Sequence, residues 1–227
     1  MDASSAYRTY TSHGGAARGL RSSSWRAQGV VLLNKALALS LLVALAPVLL
    51  VIAFIIWRTD GAPIFFGHYR VGRNGKLFRC LKFRTMARNS KELLEELLEN
   101  DPVARMEWER DYKLTSDPRI TTIGAFLRRT SLDELPQLIN VLRGEMVFVG
   151  PRPITYKELQ RYGAVRWHYL SVPPGITGLW QVSGRNNLTY PERIEFDRQY
   201  VERRSLWLDV KILLRTVKVV FARDGAY

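Results

Sequence analysis

The chain has 227 residues, of which 47% are hydrophobic, and it carries a formal net charge of +13. Its single cysteine, Cys80, excludes an intrachain disulfide framework. The excess of positive charge favours an anionic membrane surface or a polyanionic partner. Nucleic acid is the less favoured partner, because the sequence has no zinc-finger spacing, no RNP-type aromatic motif and no clear helix-turn-helix pattern.

The N-terminal part of the chain contains a polar segment followed by an apolar one. Residues 1–29 are rich in Ser, Gly and Ala and include four arginines, so we expect a basic, disordered tail. The segment Ala36–Trp57 contains no charged residue. It is long enough for a membrane helix, because about 20 apolar residues span the hydrocarbon core of a bilayer.

Pro47 lies in the middle of this apolar segment, where it removes a backbone donor and favours a bend. Basic residues flank the segment on both sides, so the positive-inside rule gives no clear orientation. A helical hairpin that enters and leaves by the same face accommodates both flanks. A proline-kinked helix that spans the bilayer fits the residues equally well, so both arrangements stay open at this point.

Two amphipathic helices are predicted outside the membrane segment. Lys91–Asp101 has leucines along one side, and Pro102 ends it. Ser205–Arg223 has apolar residues at helical spacing, with Lys211 and Arg215 on another face. This second helix either docks at a membrane interface or packs on the soluble core, and we favour docking.

The segment Thr115–Pro153 carries the most chemical information. One predicted helix ends at the pair Arg128–Arg129, and a second is stopped by Gly144. Between the two helices lies an acidic pair, Asp133 and Glu134. The function of the chain therefore depends on what these two carboxylates do.

The acidic pair has two interpretations. Ser131 with Glu134 matches a capping box, or Asp133 is itself the N-cap, with Pro136 in the first helical turn. Both of these are structural capping roles. In the second interpretation the pair is catalytic, and the helix N-terminus and clustered guanidinium groups bind phosphate. Asp133 then attacks phosphorus, with Mg²⁺ as the natural cation to screen the repulsion between the charges. The arginines in the cluster are Arg128, Arg129, Arg143 and Arg152.

Several common motifs of phosphate and sugar chemistry are missing. The sequence has no P-loop, which argues against ordinary P-loop phosphate transfer, and no Asp-x-Asp triplet, the metal-binding signature of many glycosyltransferases. The three histidines, His13, His68 and His168, show no spacing typical of a metal site. We interpret the histidines as structural or surface residues.

Five sequence blocks carry a resemblance to a known family. They are Lys82–Met86 (KFRTM), Ser116–Arg119 (SDPR), Thr130–Leu138 (TSLDELPQL), Val149–Pro153 (VGPRP) and Pro174–Asn186 (PGITGLWQVSGRN). In this order, from about Asn34 to Phe221, the chain resembles the small, monotopic type of bacterial polyprenyl-phosphate sugar-1-phosphate transferases. Each block alone is weak, but the five together are highly specific.

The resemblance implies a fold and a location. The fold is mainly α with a small β component, an α+β fold. A re-entrant membrane helix hairpin over residues 30–58 is broken at Pro47, and a compact cytoplasmic catalytic domain with interfacial amphipathic helices covers residues 59–227. The expected location is the bacterial inner membrane, with this domain on the cytoplasmic face.

The resemblance also implies a two-step reaction. Asp133 matches a nucleophile that attacks the β-phosphate of a UDP-sugar, so that UMP leaves and a phosphosugar–aspartate intermediate forms. The phosphate of a polyprenyl lipid then attacks this intermediate. Glu134 matches a Mg²⁺-binding carboxylate, and we include Asp133 as a second ligand. By analogy, galactose or glucose is the favoured sugar, in the first membrane step of exopolysaccharide assembly.

Basic residues are expected to bind the substrates. Arg128 and Arg152 match arginines that hold phosphate or nucleotide, Lys82 and Arg185 are weaker matches, and we add Arg143 from the arginine cluster. Two further carboxylates, Asp197 and Asp209, are expected to form structural salt bridges.

The expected partners are a UDP-sugar, a polyprenyl phosphate and membrane lipids, with no nucleic acid, and the apolar helices leave a homodimer open. Three other functions were weighed against the transferase. A direct glycosyltransferase would release UDP in place of UMP. A scaffold for polysaccharide assembly would use the acidic pair only as a cap. A membrane-tethered nucleic-acid binder would show steeply salt-dependent affinity.

Overall fold

The computed structural model describes residues 24–111 and 114–222. This part of the chain is mostly helical with a small strand component, which confirms the predicted fold class at that level. The helices are α1 (Ser24–Asp60), α2 (Ser90–Asn100), α3 (Pro102–Asp111), α4 (Thr122–Thr130), α5 (Gln137–Arg143), α6 (Tyr156–Arg161), α7 (Arg166–Ser171), α8 (Tyr190–Arg203) and α9 (Leu206–Ala222). The strands are β1 (Phe65–Val71), β2 (Leu77–Phe83), β3 (Val147–Val149) and β4 (Gly175–Thr177).

Helix α1 contains the apolar segment and is 37 residues long, with Pro47 in its interior. It starts before the predicted membrane segment, so residues 24–29 are helical, while residues 1–23 of the predicted tail lie outside the described residues. Only 11% of its most apolar window is buried, unlike the core helix of a soluble protein. Helix α1 is therefore long and apolar enough to cross a membrane.

Both halves of α1 pack against the rest of the chain. Before Pro47, the fully buried Ala38 packs in a core cluster with side chains of β2 and α5. After Pro47, Ile52 and Ile56 pack in a second cluster around Phe83 at the end of β2. The rest of the chain thus packs against α1 both before and after Pro47.

Strands β1 and β2 form an antiparallel hairpin whose register runs from Phe65 opposite Phe83 to Val71 opposite Leu77. The turn contains Asn74, whose φ of 57° lies in the left-handed region that Asn tolerates better than most residues. The hairpin fixes the position of the end of β2 and therefore the positions of the side chains that follow it.

The segment around the acidic pair differs from both capping models. Ser131 has a left-handed φ of 57° and ends α4, so it cannot also take the extended conformation of an N-cap. Asp133 and Glu134 lie in a separate 3-10 turn, Leu132–Glu134, and Pro136 precedes the first residue of α5. Neither the 3-10 turn nor α5 has a side-chain cap at its start, so the structure contradicts the interpretation in which Ser131 or Asp133 caps the second helix. Gly144 ends α5 with a φ of 77°, as predicted.

Strands β3 and β4 pair in parallel and carry the loop that follows Val149. Gly150 and Gly175 lie so close that a Cβ on Gly175 would come within 2.1 Å of the Gly150 nitrogen. Only glycine fits such a backbone contact, and the contact fixes the start of the Pro151–Pro153 loop.

Helices α8 and α9 close the fold on its C-terminal side, and α9 matches the predicted helix to within a residue at each end. The two carboxylates expected to form salt bridges bond to tyrosine hydroxyls. The Tyr162 hydroxyl donates to Asp197 at 2.7 Å, and the Tyr200 hydroxyl donates to Asp209 at 2.8 Å. Within the described residues neither carboxylate forms a salt bridge, so the predicted type of partner was wrong.

Candidate active site

One ammonium group lies between the two carboxylates of the acidic pair. The Nζ of Lys82 is 2.6 Å from Oε1 of Glu134 and 3.4 Å from Oδ2 of Asp133. The Asp133 side chain is only 9% exposed, and that of Glu134 is 22% exposed. Sequence reasoning selected all three residues, and the structure brings them together.

A buried asparagine holds Lys82 in register with the acidic pair. Asn140 of α5 is fully buried and accepts a hydrogen bond from the backbone N–H of Leu81. Its Nδ2 donates to the carbonyl of Arg79 and to the carboxylate of Glu145. Helix α5 is thereby bound to β2 on the residues just before Lys82.

The environment shifts the pKa values of the two carboxylates in opposite directions. Burial raises the pKa of Asp133 above its usual range, although the nearby charge of Lys82 opposes the shift. Burial also acts on Glu134, but the charges of Lys82 and Arg152 outweigh it and lower its pKa. Two adjacent carboxylates with divergent pKa values, both held by one cation, are typical of a functional site.

A cavity of about 640 Å³ opens beside Glu134, and we call it the arginine-lined cavity. Asp133 lies one residue away from its lining. The arginines that line it are Arg70, Arg128, Arg152, Arg185 and Arg193. Three of them, Arg128, Arg152 and Arg185, are predicted substrate-binding residues, and the structure brings them to one cavity. Guanidinium groups in this number suit a diphosphate, because each can bind phosphate oxygens in bidentate fashion.

Arg128 is fixed by the segment that follows β2. Its Nε donates to the hydroxyl of Thr85 at 2.9 Å, and its charge favours ionisation of Asp133. Helix α4 approaches Thr85 so closely that a Cβ on Gly124 would lie 2.1 Å from the Thr85 carbonyl oxygen. The absence of a side chain at Gly124 therefore allows α4 to approach the segment after β2 closely enough to bring Arg128 near the acidic pair.

An aromatic ring accompanies the arginines in the cavity. The guanidinium of Arg193 lies 4.9 Å from the ring centroid of Trp180, and that of Arg152 lies 6.0 Å from it. On the other side, Arg70 forms an ion pair with Glu158 at 3.1 Å. Cation–π contacts and ion pairs hold these long side chains in defined positions.

The predicted substrate-binding residue Arg143 does not line this cavity. It is exposed and occupies the last position of α5, six residues and about 9 Å of helix from Gln137, which lies beside Glu134. Arg143 is near the acidic pair in sequence, but the intervening helix α5 places it at the far end of that helix. The structure gives no support to its predicted role.

Part of the cavity wall is apolar and comes from α1. Leu41 and Leu45 of α1 line the cavity together with Phe148 and Ile176, close to the β3–β4 pair. The lining of the cavity therefore combines cations with leucines of the apolar helix α1. Such a wall suits a ligand with a charged head and a hydrocarbon chain.

The two carboxylates of the site could bind a divalent cation whose remaining coordination positions are filled by a bound ligand. Within the described residues, no group of three or more His, Cys, Asp and Glu side chains could hold a metal ion. Asp133 and Glu134 nevertheless converge on one positive charge, that of Lys82. Mg²⁺ typically takes one or two carboxylates together with substrate phosphates, so this donor set fits Mg²⁺ with a bound diphosphate.

Sequence reasoning missed Arg70, Glu158, Trp180 and Arg193 as residues of the cavity. Trp180 lies inside the block Pro174–Asn186, one of the five that carry the family resemblance, so its position in that block was an available signal. The other three lie outside all five blocks. Only the pairing of β1 with β2 and the packing of α6 and α8 bring them to the site.

Comparison with known proteins identifies the family. The family model described as "Bacterial sugar transferase" matches residues 28–223. The chain belongs to the bacterial sugar transferase family. This match includes the acidic pair, Lys82 and the whole arginine-lined cavity, so the described geometry is that of a sugar transferase domain.

Relatives within the family are similar over most of the chain. An undecaprenyl-phosphate galactose phosphotransferase of Salmonella typhimurium is 55% identical over 84% of the chain and 40% of its own length. A UDP-galactose-lipid carrier transferase of Erwinia amylovora is 58% identical over 84% of the chain and 40% of its own length. The exopolysaccharide production protein ExoY of Rhizobium meliloti is 47% identical over 82% of each. The chain thus spans about two fifths of the length of the first two relatives.

Proposed function

We propose that this protein transfers a hexose-1-phosphate from a UDP-sugar to a polyprenyl phosphate such as undecaprenyl phosphate. One observation carries the proposal. A carboxylate pair that shares the ammonium of Lys82 lies at the edge of a cavity that is lined both by arginines and by leucines of α1. The charged part suits two phosphorylated substrates, and the apolar part suits the lipid chain of one of them.

In the proposed first step, a carboxylate oxygen of Asp133 attacks the β-phosphorus of the UDP-sugar. The bond between this phosphorus and the oxygen that bridges to the α-phosphate breaks, and UMP leaves with the bond's electron pair. An acyl-phosphate bond then links the sugar phosphate to Asp133. The position of Asp133 beside Lys82 and Arg128 supports this role, because both cations favour its ionised form.

In the proposed second step, a phosphate oxygen of the lipid attacks the same phosphorus, and the Asp133 carboxylate leaves unchanged. The product is a polyprenyl diphosphate sugar. Arg128, Arg152 and Arg185 bind the phosphate groups of the two substrates. Bound at Asp133 and Glu134, Mg²⁺ would screen the negative charge that builds up between carboxylate and phosphate.

The proposed membrane arrangement is a re-entrant one, with both ends of α1 on the same face. The Phe148 N–H donates to Asn34 near one end of the helix, and Arg84 donates to the Asp60 carbonyl at the other end. Residues 34 and 60 are about 39 Å apart along a straight helix, more than the roughly 30 Å hydrocarbon core. A helix perpendicular to the bilayer would place one of these polar contacts across the membrane, so the contacts support the re-entrant arrangement.

The names of the relatives support the substrates and the pathway class. Two of them are named for galactose or UDP-galactose transfer to a lipid carrier, and a third for exopolysaccharide production. A relative of Escherichia coli that is named for UDP-glucose and glucose-1-phosphate transfer is 38% identical. We therefore propose galactose or glucose as the sugar and the start of exopolysaccharide assembly as the role.

The test measures nucleotide release by the purified full chain with Mg²⁺, undecaprenyl phosphate and either UDP-galactose or UDP-glucose. UMP release is expected with at least one donor and is expected to be lost in Asp133→Asn. Glu99→Gln, an exposed carboxylate of α2, is the matched control and keeps the activity. Release of UDP in place of UMP would show direct glycosyl transfer, and an active Asp133→Asn variant would remove the aspartate intermediate.

A further inference from the structure

A second cavity, of about 370 Å³, lies between α8 and α9, and we call it the α8–α9 cavity. Three cations line it: Arg203 at the end of α8, and Lys211 and Arg215 of α9. Its other lining residues are neutral, and within the described residues no carboxylate lines it. The charge of this lining therefore favours an anionic ligand.

The cations of this cavity are available to a ligand. Arg203, Lys211 and Arg215 are all exposed, and within the part of the chain whose side chains are described none of them forms an ion pair. The floor of the cavity is apolar and includes Leu208 and Ile212. A ligand that fits has a negatively charged group and an apolar part beside it.

The position of the cavity on α9 indicates where this ligand comes from. One face of α9 is exposed and apolar, although it belongs to a folded domain; its exposed large residues are Leu206, Trp207, Val210, Leu214 and Val217. Ile212 is buried on the opposite, core-facing side. Lys211 and Arg215 are neighbours one turn apart on the border between the two faces. Cations on the border of an exposed apolar helix face match the depth of lipid phosphates when that face lies in a membrane.

From this arrangement we infer that the α8–α9 cavity binds the phosphate headgroup of an acidic bilayer phospholipid. Arg203, Lys211 and Arg215 bind the phosphate, and the apolar face of α9 contacts the acyl chains. The ligand differs from the proposed lipid substrate, whose phosphate binds in the arginine-lined cavity. The inference rests on the proposed membrane attachment of the chain, but not on the transfer reaction.

The two cavities share a wall. Leu179 and Ser183 line the α8–α9 cavity, while the 3-10 turn between them, Trp180–Val182, lines the arginine-lined cavity. A headgroup bound behind this turn holds Trp180 in place, and Trp180 contacts Arg152 and Arg193. The proposed headgroup site and the arginine-lined cavity are therefore adjacent, on opposite sides of one short turn.

The test counts lipids retained by the full chain in native mass spectrometry, with phosphatidylglycerol or phosphatidylcholine added to the same detergent micelles. Wild-type protein is expected to retain phosphatidylglycerol in preference to phosphatidylcholine. Lys211→Gln/Arg215→Gln is expected to weaken that retention about ten-fold, because each cation near a membrane surface contributes to binding of anionic lipid. Arg73→Gln/Lys76→Gln, which removes two exposed cations from the β1–β2 turn, is the matched control.

The outcomes separate this inference from its alternatives. Equal loss of retention in both double variants would show a general effect of net charge and overturn the inference, as would unchanged retention in Lys211→Gln/Arg215→Gln. When undecaprenyl phosphate is added in the same assay, preferential retention that Lys211→Gln/Arg215→Gln abolishes would make the cavity a substrate site and also overturn the inference. A chain that retains phosphatidylglycerol as expected but releases no UMP would leave this inference standing and contradict only the proposed reaction.

Discussion

The side-chain oxygen of Asn34 accepts a hydrogen bond from the backbone N–H of Phe148 at 2.9 Å, and this bond joins the apolar helix α1 to strand β3. The Nδ2 of Asn34 donates to the carbonyl of Val30 within α1, so the amide is fixed at both ends. Strand β3 leads directly into the loop that carries Arg152. The apolar helix α1 and the loop that carries Arg152 are thereby held in one position relative to each other.

Asn34→Leu is expected to weaken this connection. The Phe148 N–H loses its partner, which costs about 1–3 kcal/mol of folding free energy when the donor is buried. The variant should unfold at a lower temperature in detergent and show a reduced rate of UMP release. Gln28→Leu, an exposed position of the same helix, should behave like wild type. Equal melting temperatures for Asn34→Leu and wild type would show that the bond contributes nothing.

Lys82→Met removes the cation between Asp133 and Glu134. We expect the rate of UMP release to fall about 100-fold, because Asp133, the proposed nucleophile, loses a charge that favours its ionised form. The Mg²⁺ concentration for half-maximal activity should decrease, since the carboxylates no longer share a competing ammonium. A magnesium titration of the initial rate measures both effects. Lys76→Met on the same hairpin is the control, and a higher magnesium requirement in Lys82→Met would contradict the shared-cation model.

Gly124→Ala is expected to displace α4 from the segment after β2. The added Cβ would lie 2.1 Å from the Thr85 carbonyl oxygen, a contact with rigid backbone that only a helix shift relieves. Forcing a methyl group into packed structure costs about 1–3 kcal/mol, and the shift also moves Arg128. Thermal unfolding and UMP release should both decline. Gly29→Ala in α1, where a Cβ meets nothing within 4 Å, should be neutral or stabilising.

Asp197 should make the stability of the protein depend on pH. Burial raises its pKa to about 7, against 3.8 ordinarily, so the folded protein holds this proton to higher pH than the unfolded chain. Stability contributed by the site is therefore lost as pH rises from about 4 to about 7, with an upper limit of about 4 kcal/mol. Asp197→Asn keeps an acceptor for Tyr162 and should melt higher than wild type at pH 8.

The measurement for Asp197 is thermal unfolding in detergent at several pH values between 4 and 8. The difference in melting temperature between Asp197→Asn and wild type should grow with pH and vanish near pH 4. Glu99→Gln, at an exposed position, should follow the wild-type profile throughout. A stability difference that is independent of pH would mean that the carboxylate does not hold a proton in the folded state.

Local features of the structure were available from the sequence. The apolar run predicted a membrane-type helix, which is α1, and Gly144 predicted the end of α5. The spacing of apolar residues predicted α9. The closeness of Arg128 to the acidic pair was also indicated, because both lie within a few residues of one another in the sequence. These features depend on residues within a few turns of one another, where propensity and spacing carry the information.

Tertiary structure alone decided which cations reach the acidic pair. Arg70 and Arg193 are far from the acidic pair in sequence and line the cavity beside Glu134, whereas Arg143 is only nine residues from Glu134 and lies outside that cavity. Strand pairing and helix direction set these positions, and neither is encoded in the spacing near the pair. The contacts of both ends of α1 with one domain have the same origin. The sequence by itself therefore determined the kinds of groups at the site, and the packing of distant elements determined their arrangement.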